Sequence, residues 1–249
     1  MPVDEPIIVF VHGNRTGACD VVNLGRPAFS RLQRDAPDRS FRFVHWSWPA
    51  DRVGRRPRRD VQIKAARSDT QAHYLAAWLR RLPDETPVTL IGYSFGARVI
   101  AGALHLNQGG SLNGWSTEEP AAETARRPCR VMLVAAALDA EWLLPGQRNG
   151  QAFGGVEQML ITRNTCDPVL RLYPRMDRCD DSEAMGFAGP AGSWKLAEVG
   201  FQFETVPVEC QVGRDHAWAT YISSHAVGSR LAWYSFLLDE HPAAVTATP

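Results

Sequence analysis

The sequence has no long hydrophobic run: the longest, at 7–11 and 131–138, fall well short of the roughly 20 residues that a bilayer-spanning helix needs. No membrane span is expected. Nor is there an excess of charge of either sign, since 27 Lys and Arg face 27 Asp and Glu. A nucleic-acid or anionic-membrane partner, which a basic surface would attract, is therefore not expected. The chain has no CxxC pair, and its cysteines, at 19, 129, 166, 179 and 210, are odd in number. That usage argues against a disulfide framework and for a reduced, cytoplasmic setting. No export signal is expected, because Asp4 and Glu5 precede a strand-like run where a signal would carry a basic region and an apolar stretch. Internal repeats are absent as well.

What is present is 249 residues, 45% of them hydrophobic, enough to bury a core without metal or disulfide staples. That size favours one α/β domain, over 1–240, with a frayed tail at 241–249. Residues 6–11 form a continuous, β-branched apolar run, as in a strand covered on both faces. Strand patterns also fall at 41–48, 87–92, 130–138, 157–162 and 203–210. Helical patterns lie at 71–82, 95–106 and 221–238. Strand, loop and helix in repeated alternation predict a mostly parallel sheet of about six strands with helices on both faces. Two stretches rich in Gly, Pro, Ser and charge interrupt it, 107–127 and 176–200. The second either walls or lids a pocket, or is a plain surface excursion.

Gly92-Tyr93-Ser94-Phe95-Gly96 fits G-x-S-x-G, entered by an apolar strand and left by a helix-compatible segment, as a nucleophile elbow requires. The two glycines let a serine sit on a strained turn without a side chain pressing on the neighbouring strand or helix. A serine hydroxyl is a weak nucleophile at neutral pH. It needs a histidine base, and a carboxylate to orient that histidine. In the order Ser, acid, His, the candidates are Ser94, Asp167 in Asn-Thr-Cys-Asp-Pro, and His216 in Gly-Arg-Asp-His. Asp167 and His216 each follow the C-terminal end of a predicted strand, the edge where such sheets bind ligands. The oxyanion needs two donors, for which the Phe95 amide and the Asn14 amide are expected, with Gly13 or Arg15 as alternatives to the latter. His12 is expected to brace its loop.

These residues resemble the α/β-hydrolase superfamily, from about residue 6 to residue 238, through Val11-His12-Gly13-Asn14, the Ser94 elbow, and the Asp167 and His216 loops. Ser47-Trp48-Pro49, the helical region 60–82 and Tyr93-Ser94-Phe95-Gly96-Ala97-Arg98-Val99 look like a bacterial branch of that superfamily with no assigned substrate. Two departures stand out: Tyr93 occupies a position where many relatives carry histidine, and the antiparallel strands that often precede the first strand are missing. The resemblance implies hydrolysis at a carbonyl, most often of a small-molecule carboxylic ester, without metal or cofactor. Acyl transfer or amide cleavage by the same triad, and a binding protein on the same scaffold, are the rival readings.

Other signals weigh less. Arg52, Arg55, Arg56, Arg58 and Arg59 read either as a solvated loop or as a contact for an anionic acyl or phosphate group. Asp177, Asp180, Asp181 and Glu183 lack calcium-loop spacing, so no metal is expected. Cys166 reads as a small packed thiol. Trp46 and Trp48 read as core, with Trp48 bordering the pocket as the alternative. Asp139, also just past an apolar strand, competes with Asp167 as the acid. His225 competes with His216, but its helical pattern puts it on a packed face.

Overall fold

The computed structural model describes residues 5–17, 19–116, 127–176, 182–198 and 200–241. The apolar runs form β1 (Ile7–Val11), β2 (Arg42–Trp46) and β3 (Val88–Tyr93). A short hairpin follows, β4 (Ser111–Leu112) and β5 (Trp115–Ser116), then β6 (Cys129–Val134), β7 (Gln158–Arg163) and β8 (Phe203–Pro207). Six strands pair, all parallel, in the order β2-β1-β3-β6-β7-β8. The expected six-stranded sheet is therefore present. β1 and β3 are buried along their whole length, as central parallel strands are. From β1 the chain runs outward to β2 and then returns to β3 on the other side of β1. Such a reversal opens a crevice at the carboxyl ends of the two strands.

The long helices are α1 (Val21–Asp35), α2 (Pro57–Leu79) and α3 (Gly96–Asn107). Short ones follow: α4 (Pro168–Arg171), α5 (Tyr173–Met176), α6 (Met185–Ala188), α7 (Ser193–Glu198) and α8 (Glu209–Val212). The described chain closes with α9 (Trp218–Ser223) and α10 (His225–Tyr234). Alternation along β3 shows how the layers form. The Thr89 hydroxyl donates to the Tyr234 carbonyl of α10 at 2.7 Å, while Gly92, on the opposite face, lies against Ala97 and Ile100 of α3. α2 packs on α3, and α1 packs on α9 and α10.

Several boundaries differ from the sequence reading. α1 is not foreshadowed, because its buried stripe includes Gly25 and Ala28 and its interior holds Pro27. Gly25 is where the helix meets the sheet: a Cβ there would lie 2.2 Å from His45 Cε1. α2 starts at Pro57, not 71, and ends before Leu82. The expected helix 221–238 is broken at Ser224, which is extended (φ −61°, ψ 144°) and caps α10 by accepting from the Val227 amide at 3.3 Å. Asp177, Asp180, Asp181 and Cys179, and the tail from 242, lie outside the described residues, as do 117–126 of the first interrupting stretch and 177–181 and 199 of the second. Among the described residues no helix is long and apolar enough to cross a membrane.

Candidate active site

Ser94 sits where β3 passes into α3, with φ +53°, a left-handed conformation that a side chain makes costly. Neighbouring bonds hold it there: the Ser94 N–H donates to Val134 O at 2.9 Å, and Ser94 O accepts from Ala97 at 3.1 Å and Ala137 at 3.2 Å. The flanking glycines are sterically required. A Cβ on Gly92 would meet Ala97 Cα at 2.8 Å, and one on Gly96 would meet Val11 O at 2.1 Å.

The fold brings the two expected partners to this serine. His216 Nε2 lies 3.1 Å from Ser94 Oγ, and His216 Nδ1 lies 2.6 Å from Asp167 Oδ2. An ionised carboxylate only accepts, so Nδ1 carries the proton and the Nε2 lone pair faces the hydroxyl. Asp167 is fully buried and extended at the N-cap of α4, where Pro168 keeps it out of the helix. Its Oδ1 accepts from the amides of Val169 (2.9 Å) and Leu170 (3.2 Å), and its Oδ2 also accepts from the Tyr221 hydroxyl at 2.8 Å. Asn164 extends the network, donating to Tyr221 Oη at 3.1 Å and to Gly213 O at 2.9 Å. Burial, and then the charge of Asp167, push the Tyr221 phenol far above its ordinary range, so it remains a donor. Tyr93, the departure noted in the sequence, donates to the carbonyl of His216 at 2.5 Å, with its ring 5.6 Å from the imidazole. It fixes the backbone that carries the histidine.

Opposite the serine, the β1 loop is held from two sides. From below, His12 is wholly buried, stacked on Trp48 at 5.6 Å, and its Nε2 accepts from the Trp48 amide at 3.1 Å. Trp48 Nε1 donates to His12 O at 2.8 Å. Trp48 thus lies beyond the end of β2 and braces the loop, while half-buried Trp46 packs against Trp78. From the side, Lys64 of α2 is completely buried, with Nζ 2.9 Å from Asn14 Oδ1 and 3.0 Å from Asp60 Oδ1. Burial pushes the Asp60 carboxyl upward, but the Val53 amide and the Lys64 ammonium outweigh it and hold it below the ordinary range. Arg15 donates its N–H to Ala50 O and to Asn14 Oδ1, both at 2.8 Å. Among the described residues no acceptor meets the N–H of Gly13, Asn14 or Phe95. Of the three loop amides considered, Arg15 is thus occupied while Gly13 and Asn14 are open.

Lys64, Asp60 and Tyr221 are not singled out by the sequence, since each lies inside a helix without a local motif, and Asn164, though in the Asn-Thr-Cys-Asp-Pro loop, carries no local sign of its contact with Tyr221. The rivals are held elsewhere. Asp139 is buried and accepts from the Tyr173 hydroxyl at 2.6 Å, and Tyr173 in turn receives Arg98 Nη1 at 3.3 Å. His225 is exposed, correcting its expected place on a packed face, because the break at Ser224 resets the helical phase. Cys166 is exposed too, not packed. No cluster able to hold a metal occurs among the described residues.

No known family model and no characterised protein sequence matches the chain. Among solved structures, acyl-protein thioesterase 2 of Zea mays aligns with a TM-score of 0.50 at 13% identity, covering 94% of this chain and 94% of that one. Esterase B from Lactobacillus rhamnosis aligns with a TM-score of 0.47 at 13% identity, covering 94% and 78%. The first likeness, together with the parallel sheet and its crossovers, gives the architecture: this chain has the α/β-hydrolase fold.

Proposed function

We propose that the protein is a serine hydrolase that cleaves a carboxylic ester or thioester through an acyl-enzyme, with Ser94, His216 and Asp167 as its triad. The observation that carries this reading is the continuous chain of contacts from Asp167 Oδ2 through His216 to Ser94 Oγ, at 2.6 and 3.1 Å. In the first half-reaction His216 Nε2 takes the Ser94 proton as Oγ bonds to the carbonyl carbon, and the carbonyl π pair moves to oxygen. The N–H groups of Phe95 and Asn14 receive that oxyanion. On collapse the bond to the leaving alcohol or thiol breaks, and His216 gives up its proton to it. Water then repeats the sequence and frees the acid. Asp167 keeps Nδ1 protonated and stabilises the imidazolium. No step calls for a metal or cofactor. The fold shared with a plant acyl-protein thioesterase is consistent with a thioester as one substrate class.

The test is Ser94→Ala. It should lower kcat for a short p-nitrophenyl ester by about 10⁶, the scale of removing a triad serine, with the melting temperature nearly unchanged. A fluorophosphonate probe should label the wild type at Ser94 alone. A variant that keeps a tenth of the rate, or a folded wild type that the probe leaves unmodified, refutes the mechanism.

A further inference from the structure

The described surface carries a hollow of about 590 Å³ that contains none of the triad residues and is lined by Arg55, Arg56, Arg58, Arg59 and Arg175, with Gln62. All five arginines are exposed. Five guanidiniums around one hollow repel one another and favour an anion among them, and no described carboxylate lies within ion-pair distance of them. Two walls supply them. Four come from the start of α2 and the residues leading into it, and the fifth from α5, which packs against α2. Guanidinium forks from two directions suit phosphate oxygens better than a single carboxylate.

Both walls are also tied to the catalytic centre. α2 reaches the β1 loop through Lys64 and Asn14, and Gly13 of that loop lies so close that a Cβ on it would be 3.0 Å from Ser94 Cβ. Arg59 is five residues before Lys64, about 7.5 Å along the helix axis. α5 reaches the elbow through the Tyr173 hydroxyl and Arg98, one turn beyond Ser94. Both elements follow strands of the parallel sheet, so the hollow opens on the same sheet edge as the serine.

We propose that this hollow binds the phosphate groups of the alcohol or thiol half of the substrate, making the preferred substrate an acyl ester or thioester of a polyphosphorylated carrier. The inference rests on the serine mechanism above and adds to it the class of leaving group. The acyl group then lies at Ser94 and the carrier extends along α2 toward the arginines. Cleavage itself is unchanged: the thiol or alcohol departs with the proton from His216, still bearing its phosphates.

The experiment compares two thioesters with one acyl group, butyryl-coenzyme A and the uncharged S-butyryl-N-acetylcysteamine, at low ionic strength. The wild type should favour the coenzyme A ester in kcat/KM by at least about tenfold, the scale of one charge-assisted hydrogen bond to phosphate. Arg58→Gln with Arg59→Gln, and separately Arg175→Gln, should remove that preference, chiefly through KM, while sparing the uncharged ester. Inorganic pyrophosphate should compete against the coenzyme A ester only. If pyrophosphate binds but the two thioesters are cleaved equally, the hollow holds a free polyphosphate and the substrate assignment fails. Equal cleavage without pyrophosphate binding overturns the site altogether. Loss of the uncharged activity in Ser94→Ala tests the mechanism independently. Should neither thioester be cleaved, calorimetry with pyrophosphate still decides whether the arginines form a site.

Discussion

Lys64 has no solvent exposure, and its ammonium contacts Asp60 and the side chain of Asn14, whose backbone amide meets no acceptor among the described residues. A buried cation at that point holds the loop and, in the proposed mechanism, adds positive potential where the oxyanion would develop. Lys64→Met should therefore lower kcat of folded protein by about ten- to a hundredfold with little change in KM, less than loss of an oxyanion donor. The substitution also leaves Asp60 short of a partner, costing about 3–5 kcal/mol of stability. Pairing it with Asp60→Leu should restore the melting temperature but not kcat; recovery of both would make Lys64 merely structural. The acid is tested in the same way. Asp167→Asn should cost about 10⁴ in kcat through the wrong imidazole tautomer. Asp139→Asn should retain most of the rate, because Asp139 is bonded to Tyr173; the reverse ranking would move the role. The proposed triad is legible in the sequence because Ser94 and Asp167 closely follow strands and His216 sits in the loop after α8, each marked by a nearby glycine or proline. Asn164, Tyr221 and Lys64 support them through contacts between residues far apart in the chain, and no local spacing encodes these.

At the scale of elements, the strands were readable because a strand covered on both faces must be a continuous apolar run. α1 was not, since between Val21 and Leu32 its buried stripe is only Gly25 and Ala28 and its interior holds Pro27, so the apolar period is weak. The break in the last helical segment was equally hidden. Ile222, His225, Ala226 and Ser229 keep helical spacing across it, yet Ser224 turns extended, its hydroxyl receives the Val227 amide, and His225 emerges at the surface. Ser224→Ala should thus destabilise the fold by about 0.5–2 kcal/mol, the range for losing an N-cap. His225→Ala should alter stability by no more than about 0.5 kcal/mol, as exposed substitutions do, and leave kcat intact. Urea unfolding of the two variants separates them. A His225→Ala more damaging than Ser224→Ala would return the histidine to a packed face.

Over the whole molecule, the buried titratable groups confine stability to a window of pH. Burial lowers His12, His45 and His105 below the ordinary imidazole range, with backbone carbonyls only partly opposing it. Between the folded value and the unfolded value of about 6.5, the unfolded chain binds more protons, so stability is complete above that pH and is lost as pH falls through the window. Asp60, held below its ordinary value, acts in the same direction further down, below about 3.8. Tyr93, Tyr221 and Tyr234 are raised, chiefly by burial, so the folded state keeps protons that the unfolded chain releases above about 10, and stability falls there as pH rises. The Cys129 thiol, pushed up to about 12 by burial, starts that decline near pH 9, so the urea midpoint should be level from about pH 7 to 8.5 and decline on both sides. His12 links the acid limb to the β1 loop. Its Nδ1 lies 2.9 Å from Gly13 O, which only accepts, so Nε2 must stay unprotonated to receive the Trp48 amide. A second proton would set two donors against each other beneath the loop that carries Asn14. His12→Gln keeps an acceptor that cannot be protonated, so its acid limb should be shallower than that of the wild type when midpoints are measured from pH 7.5 to 5. An unchanged slope would remove His12 from the account, and a wild-type midpoint that stays level down to pH 5 would remove all three histidines.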